Sequence, residues 1–266
     1  MDKVGFIGAG NMGLPMILGA VKVFGTESIL FTTKREERKV VVHKETGADY
    51  AWNNKTLVES CKYVVLAVKP QFFGDVYRDI KDSLTEEHIV ISIAAGITIE
   101  SMKQALGEHI RVVRSMPNTP ALVGEGMSAV CFSKDGYSES EKEWIDRFFN
   151  SFGKYEVFEE SLMNSIVCAS GSSPAYVYMF IEALADSAVK YGIPRDKAYK
   201  LTAQTVLGAA KMILETGEHP GKLKDQVCSP GGTTIAAVEA LEEYGFRNAI
   251  MKASDACYER AVSLNK

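Results

Sequence analysis

Apolar positions follow two different rhythms along this chain. Up to about residue 158, short runs rich in Val, Ile and Phe recur: KVGFIG (3–8), SILFTT (28–33), KYVVLAV (62–68), HIVISIAA (88–95), IRVVRSM (110–116) and MSAVCFS (127–133). The first four are almost continuously apolar, the pattern of strands covered on both faces. Helical periodicity lies between them and predicts helices at 11–24, 34–46 and 70–82. Strands alternating with helices predict an α/β fold with a mostly parallel sheet and helices on both sides.

After about residue 160 the strand-like runs stop. SPAYVYMFIEALADSAVKYG (173–192) opens with Ser173 as a cap and Pro174 at the first helical position. Glu182, Asp186 and Lys190 form one narrow polar stripe, and the rest of the helix surface is apolar or small. So thin a wet face predicts burial nearly all round. One small helical domain can hardly supply that cover, so a second copy of the chain is expected to. Further helices are predicted at 195–215, 233–243 and 246–264. The expected domains are 1–159, α/β, and 160–266, all-α.

Composition narrows the classes. The 266 residues are 46% hydrophobic and 24% charged with a net charge of −4, ordinary for a globular protein and unsuited to a general nucleic-acid binder. The five cysteines form no C-x-x-C pair, which argues against a disulfide framework or a metal site. No apolar stretch is long enough to span a bilayer, and Met1 is followed at once by a charged pair and a strand. A cytoplasmic protein without metal, nucleic-acid or membrane partners is expected. His43 and His88 sit among charged residues and read as surface, His109 as a helix-terminal cation, and His219 as a satisfied turn residue.

The chemistry starts at VGFIGAGNMG, where Gly8, Gly10 and Gly13 make a G-x-G-x-x-G turn directly after the first strand. One glycine permits the tight turn, the next lets a pyrophosphate approach bare backbone, and the third lets helix and strand pack closely. The first domain is thus expected to be a Rossmann-type dinucleotide-binding domain. Thr32 and Thr33 end the second strand, and Lys34 and Arg35 follow, where an NAD site would carry an acid; Glu36 and Glu37 come later, inside the helix. Hydroxyls and cations suit a 2′-phosphate, so NADPH is favoured over NADH. Lys69, before Pro70, faces the positive end of a helix dipole, and cofactor oxygens would compensate it. Asn54 and the small residues of SIAAG (92–96) also lie near strand ends, where ligands gather in such sheets. In DQVCSPGGTTIAAVEALE the helix begins with two glycines and two hydroxyls and no acid, a backbone anion site in want of an anion.

These motifs, with LAVKPQ, SIAAGITI, MPNTPALVGEG, GSSPAYVYMFIEALAD and GAAKMI, together resemble the pyrroline-5-carboxylate reductase family, in order along essentially the whole chain. The resemblance implies NAD(P)H-dependent reduction of Δ1-pyrroline-5-carboxylate to L-proline, a helical dimerisation domain, and homodimers that often assemble further, commonly into decamers. It implies that Gly8, Ala9, Gly10, Asn11 and Met12 cradle the pyrophosphate, with Thr33 and Asn54 on the adenosine side. Val68, Lys69 and Pro70, with Ile93, Ala94 and Ala95, would line the nicotinamide side. Ser229, Gly231, Gly232, Thr233 and Thr234 would hold the substrate, with Glu160 near it. A cyclic imine carrying a carboxylate suits this loop: Gly231, Gly232 and Thr233 would bind the carboxylate, and Thr234, the expected catalytic residue, the ring nitrogen. Two positions depart from the family, which usually has alanine at Gly13 and glycine at Ser173. β-Hydroxyacid dehydrogenases are the near alternative, but they rely on a helical-domain lysine, and neither Lys190 nor Lys211 stands in a matching motif. A non-catalytic NADP sensor is the alternative from another class.

Overall fold

The computed structural model describes residues 2–263. Eight strands form one sheet: β1 (Val4–Ile7), β2 (Ile29–Thr32), β3 (Asp49–Tyr50), β4 (Tyr63–Leu66), β5 (Ile89–Ser92), β6 (Arg111–Met116), β7 (Gly126–Phe132) and β8 (Gly153–Val157), ordered β3-β2-β1-β4-β5-β6-β7-β8. Every neighbouring pair is parallel except β6–β7, where Val113 faces Phe132 and the direction reverses. The six strands expected from apolar runs are all present. The sequence reading missed β3, an exposed two-residue edge strand, and β8, whose GKYEV interleaves polar residues.

Helices cover both faces. On one, α1 (Gly13–Phe24) and α2 (Glu36–Thr46) join α6 (Glu139–Asn150) in a core built on Phe6, Ile17, Val42, Phe148 and Phe152. Trp144 stacks on Tyr63 there, ring centroids 3.5 Å apart. On the other, α3 (Asn54–Ser60), α4 (Phe73–Ile80) and α5 (Ile99–Leu106) bury Leu57, Val76 and Met102 against Leu66, Val90 and Val112. His88 is not the surface residue its charged neighbours suggested. It is buried, its Nδ1 accepts from the Thr85 amide at 2.9 Å, and its Nε2 faces the Val58 carbonyl at 3.1 Å. Sequence neighbours report local polarity, whereas this ring fills a gap beside α3, thirty residues away.

The remaining helices are α7 (Met163–Ile166), which runs into a π-helical turn at Val167–Gly171, then α8 (Ser173–Lys190), α9 (Arg195–Thr216), α10 (Pro220–Val227), α11 (Thr233–Glu243) and α12 (Phe246–Ser263). The chain forms two compact units, one of residues 1–172 with 257–266 and one of Ser173–Ala256. In the second, α8 packs on α9, and Ala185, Ala198 and Thr202 are buried. Tyr178, Met179, Phe180 and Leu184 of α8 remain exposed to water.

Candidate active site and cofactor groove

The strand order reverses between β1 and β4, and a crevice outside the carboxyl ends of the strands is where such sheets bind ligands. A groove of about 1120 Å³ lies at those ends. Every residue that the sequence reading put beside a dinucleotide lines it: Gly8 to Met12, Thr33 to Arg35, Asn54, Val68 to Pro70, and Ile93 to Ala95.

The floor is the β1–α1 turn. Gly8 has φ +106°, and a Cβ added there would lie 2.6 Å from the Ala67 carbonyl oxygen. A Cβ at Gly13 would meet the Gly8 oxygen at 2.4 Å, so the turn is drawn too tight there for a side chain. At Gly10 an added Cβ would meet nothing within 4 Å, leaving bare backbone open to the groove. Met12 gives α1 no side-chain cap, and its first turn holds no acidic residue. Uncapped amides at the positive end of a helix suit a pyrophosphate.

At the far end, Thr32 Oγ1 donates to Asn54 Oδ1 at 2.7 Å, and Asn54 Nδ2 donates to Asp79 of α4 at 3.0 Å, fixing the amide between the end of β2 and that helix. Lys34 pairs with Asp75 at 3.4 Å, and Arg35 is the extended N-cap residue just before α2. Arg38, half-buried in α2, donates from Nε to the Ala9 carbonyl at 2.8 Å and has no carboxylate partner among the described residues. That guanidinium ties the glycine turn to α2 and leaves its charge unbalanced beside the groove. The sequence reading stopped at Lys34 and Arg35, so Arg38 was missed; its one signal was its place in the first turn of the helix after the second strand. Acidic groups also stand nearer than expected, since Glu36, Glu37 and Asp79 line the groove. Glu36 is engaged by Lys39 at 2.6 Å.

Glu160 belongs to the sheet-bearing unit, where its Oε1 accepts from Arg114 Nη1 and from the Ile99 amide, each at 2.8 Å. Arg114 is only 3% exposed. Burial, together with Glu160, pushes the neighbouring Cys131 thiol up from its ordinary pKa.

The other expected substrate residues lie in the helical unit. Gly231 takes φ +68°, turning the chain after α10 so that Gly232 can start α11. Gly232 supplies no side-chain cap, the first turn has no acid, and the first bond into the helix runs from the Ala236 amide to the Gly232 carbonyl. Ser229 takes up the Gly232 amide through its own carbonyl at 3.0 Å. Among the described residues, the Thr233 and Thr234 hydroxyls make no hydrogen bond, and Thr234 is half-buried. The two hydroxyls are thus held by the fold but not consumed by it, whereas the Gly232 amide, expected to face the substrate, is already used within the loop. Lys211 pairs with Glu215, and Lys190 lies over the Tyr191 ring.

Comparison with known proteins bears on both units. The Escherichia coli (strain K12) pyrroline-5-carboxylate reductase is 45% identical over 267 residues, covering 99% of this chain and 98% of that one. The chain belongs to the pyrroline-5-carboxylate reductase family. The family description "Pyrroline-5-carboxylate reductase dimerisation" matches residues 160–264, and "NADP oxidoreductase coenzyme F420-dependent" matches residues 3–96. The Methanosarcina acetivorans member of the pyrroline-5-carboxylate reductase family is 42% identical, with 100% and 98% coverage. A crystal structure of the Plasmodium falciparum pyrroline carboxylate reductase with NADP bound superposes with a TM-score of 0.88 at 32% identity, covering 100% of this chain and 98% of that one.

Proposed function

We propose that this chain reduces Δ1-pyrroline-5-carboxylate to L-proline with NADPH, the closing step of proline biosynthesis. The observation that carries this reading is the start of α11, where two glycines and two unengaged hydroxyls leave an uncapped helix N-terminus. Gly231 and Thr233 bind the substrate carboxylate through backbone amides, Gly232 between them having its amide taken up by Ser229, and Thr234 Oγ1 bonds the ring nitrogen. NADPH supplies the hydride that the C=N carbon accepts, while the nitrogen ends with the proton. The bare turn at Gly10 and the uncapped start of α1 take the pyrophosphate. Thr33, Arg35 and Arg38 receive the 2′-phosphate, and Lys69 faces the ribose and phosphate oxygens. Glu160 serves the substrate side through Oε2, which forms no hydrogen bond among the described residues. A protonated imine is already electrophilic, so alignment does most of the work, and positioning is worth on the order of 7–11 kcal/mol.

Residues 1–159 carry the dinucleotide and 160–266 the substrate loop and the self-association surface. The exposed apolar row of α8 pairs with a second copy, and such dimers assemble further, as far as decamers. No helix among the described residues is long and apolar enough to cross a membrane, and the enzyme works in the cytoplasm. The test follows NADPH absorbance with pyrroline-5-carboxylate and, separately, with β-hydroxyacids or their keto forms. Consumption with the imine alone is the expected result; tight NADPH binding without turnover would sink it.

A further inference from the structure

One large side chain of the groove has no part in the function argued so far. Trp52 is 87% exposed and lines the groove between β3 and α3, beside Asn54 and across from the end of β2. The chain has two tryptophans, and they could hardly differ more. Trp144 is buried in the aromatic stack of the sheet's other face, whereas no ring or cation packs on Trp52 among the described residues.

The backbone carrying Trp52 is nevertheless held on both sides. The Ala51 amide donates to the Phe31 carbonyl at 2.9 Å, extending the β2–β3 pairing by one residue. Asn53 caps α3, its Oδ1 accepting from the Thr56 amide at 2.8 Å. An indole fixed at its root and uncovered at its faces is a costly surface feature, because it exposes a large apolar area without using it. The groove holds a second exposed aromatic, Phe72, but the Lys34 ammonium stands over that ring, 5.3 Å from its centroid. Trp52 is therefore the aromatic plane left open at the end of the groove where Thr32, Thr33 and Asn54 converge.

We infer that Trp52 is the stacking platform for the purine of the dinucleotide, a positioning residue specific to this chain's adenosine subsite. The inference rests on the NADPH reading above. An indole offers a π-face that any purine can use without hydrogen bonds, and such stacking is worth about 1–3 kcal/mol per base on alanine substitution. The platform sets how far along the groove the cofactor's other end reaches.

The test uses adenosine 2′,5′-bisphosphate, which carries the purine and the 2′-phosphate but no nicotinamide. Its binding should change tryptophan emission in the wild-type protein. It should leave the emission of Trp52→Phe unchanged, since Trp144 is then the sole indole. By calorimetry, Trp52→Ala should weaken binding about tenfold, and Trp52→Phe, which keeps an aromatic face, by no more than about threefold. Nicotinamide mononucleotide, lacking the purine, should not move the emission. Unaltered affinity in Trp52→Ala, silent wild-type emission despite calorimetric binding, or an equal response to nicotinamide mononucleotide would each overturn the platform alone. Failure of the bisphosphate to bind the wild type would overturn the NADPH reading and the platform with it.

Discussion

In the proposed reaction, Thr234 is the residue on which turnover most directly depends. The residue is half-buried, its hydroxyl is unengaged among the described residues, and it is the second residue of a helix whose N-cap is a glycine. Thr234→Ala is expected to lose roughly 2–4 kcal/mol of transition-state stabilisation, as preorganised polar contacts do. The loss should appear in kcat/KM with the fold intact; unchanged kcat/KM would remove Thr234 from the reaction. Arg38 should act differently. Arg38→Met is expected to weaken adenosine 2′,5′-bisphosphate by about tenfold or more, the scale of a charge-assisted contact, while leaving 5′-AMP nearly untouched. Equal weakening of both would mean that Arg38 only braces the Ala9 carbonyl. The glycines and hydroxyls of the site were legible because their spacing serves local backbone geometry. Arg38 and Trp52 were not, because one looks like a surface helix charge and the other like a stray aromatic. Only the folded β2–α2 and β3–α3 connections bring them to the groove.

Among the elements, α6 shows how the amino edge of the sheet is secured. Ser138 and Glu141 form a capping box at its start, and Glu141 also meets Arg111 of β6 at 2.7 Å and Lys62 at 3.0 Å. Burial alone would push the Glu141 carboxyl up, but the Ser138 amide, Arg111 and Lys62 outweigh it and hold the pKa at about 2. A carboxylate whose pKa falls on folding adds stability that is complete above its unfolded value of 4.5. That contribution fades as the pH falls from there through about 2. Glu141→Gln should therefore cost about 3 kcal/mol at neutral pH, leaving Arg111 without its carboxylate and Lys62 with Asp2 alone. The difference in Tm from wild type should shrink on acidification, and a constant difference would assign the loss to the cap alone. None of this network was legible in the sequence. Lys62, Arg111 and Glu141 come from separate stretches, and only the β4–β5–β6 register draws them together. The central strands were legible, because strands covered on both faces must be apolar throughout. Strands β3 and β8 escaped because edge strands answer to water as much as to the core.

In the molecule as a whole, the dimerisation-family match over residues 160–264 falls on a unit with an exposed apolar row. Tyr178, Met179, Phe180 and Leu184 lie exposed on one helix, the one whose narrow stripe of Glu182, Asp186 and Lys190 led the sequence reading to expect cover from a second copy. Met179→Lys is expected to convert the assembly to monomers in light scattering and to lower turnover with it. A dimer that survives the change would move the self-association surface elsewhere. The first unit holds residues on both sides of the second, up to Ser172 and again from Cys257 onward, and the Cys257 thiol donates to Ser172 Oγ at 3.3 Å. Covalently, then, the helical unit is a guest whose entrance and exit open side by side on one host. Exchanging it between relatives takes two splices rather than one, and an end-to-end fusion cut at a single junction would leave the host short of its own final turns.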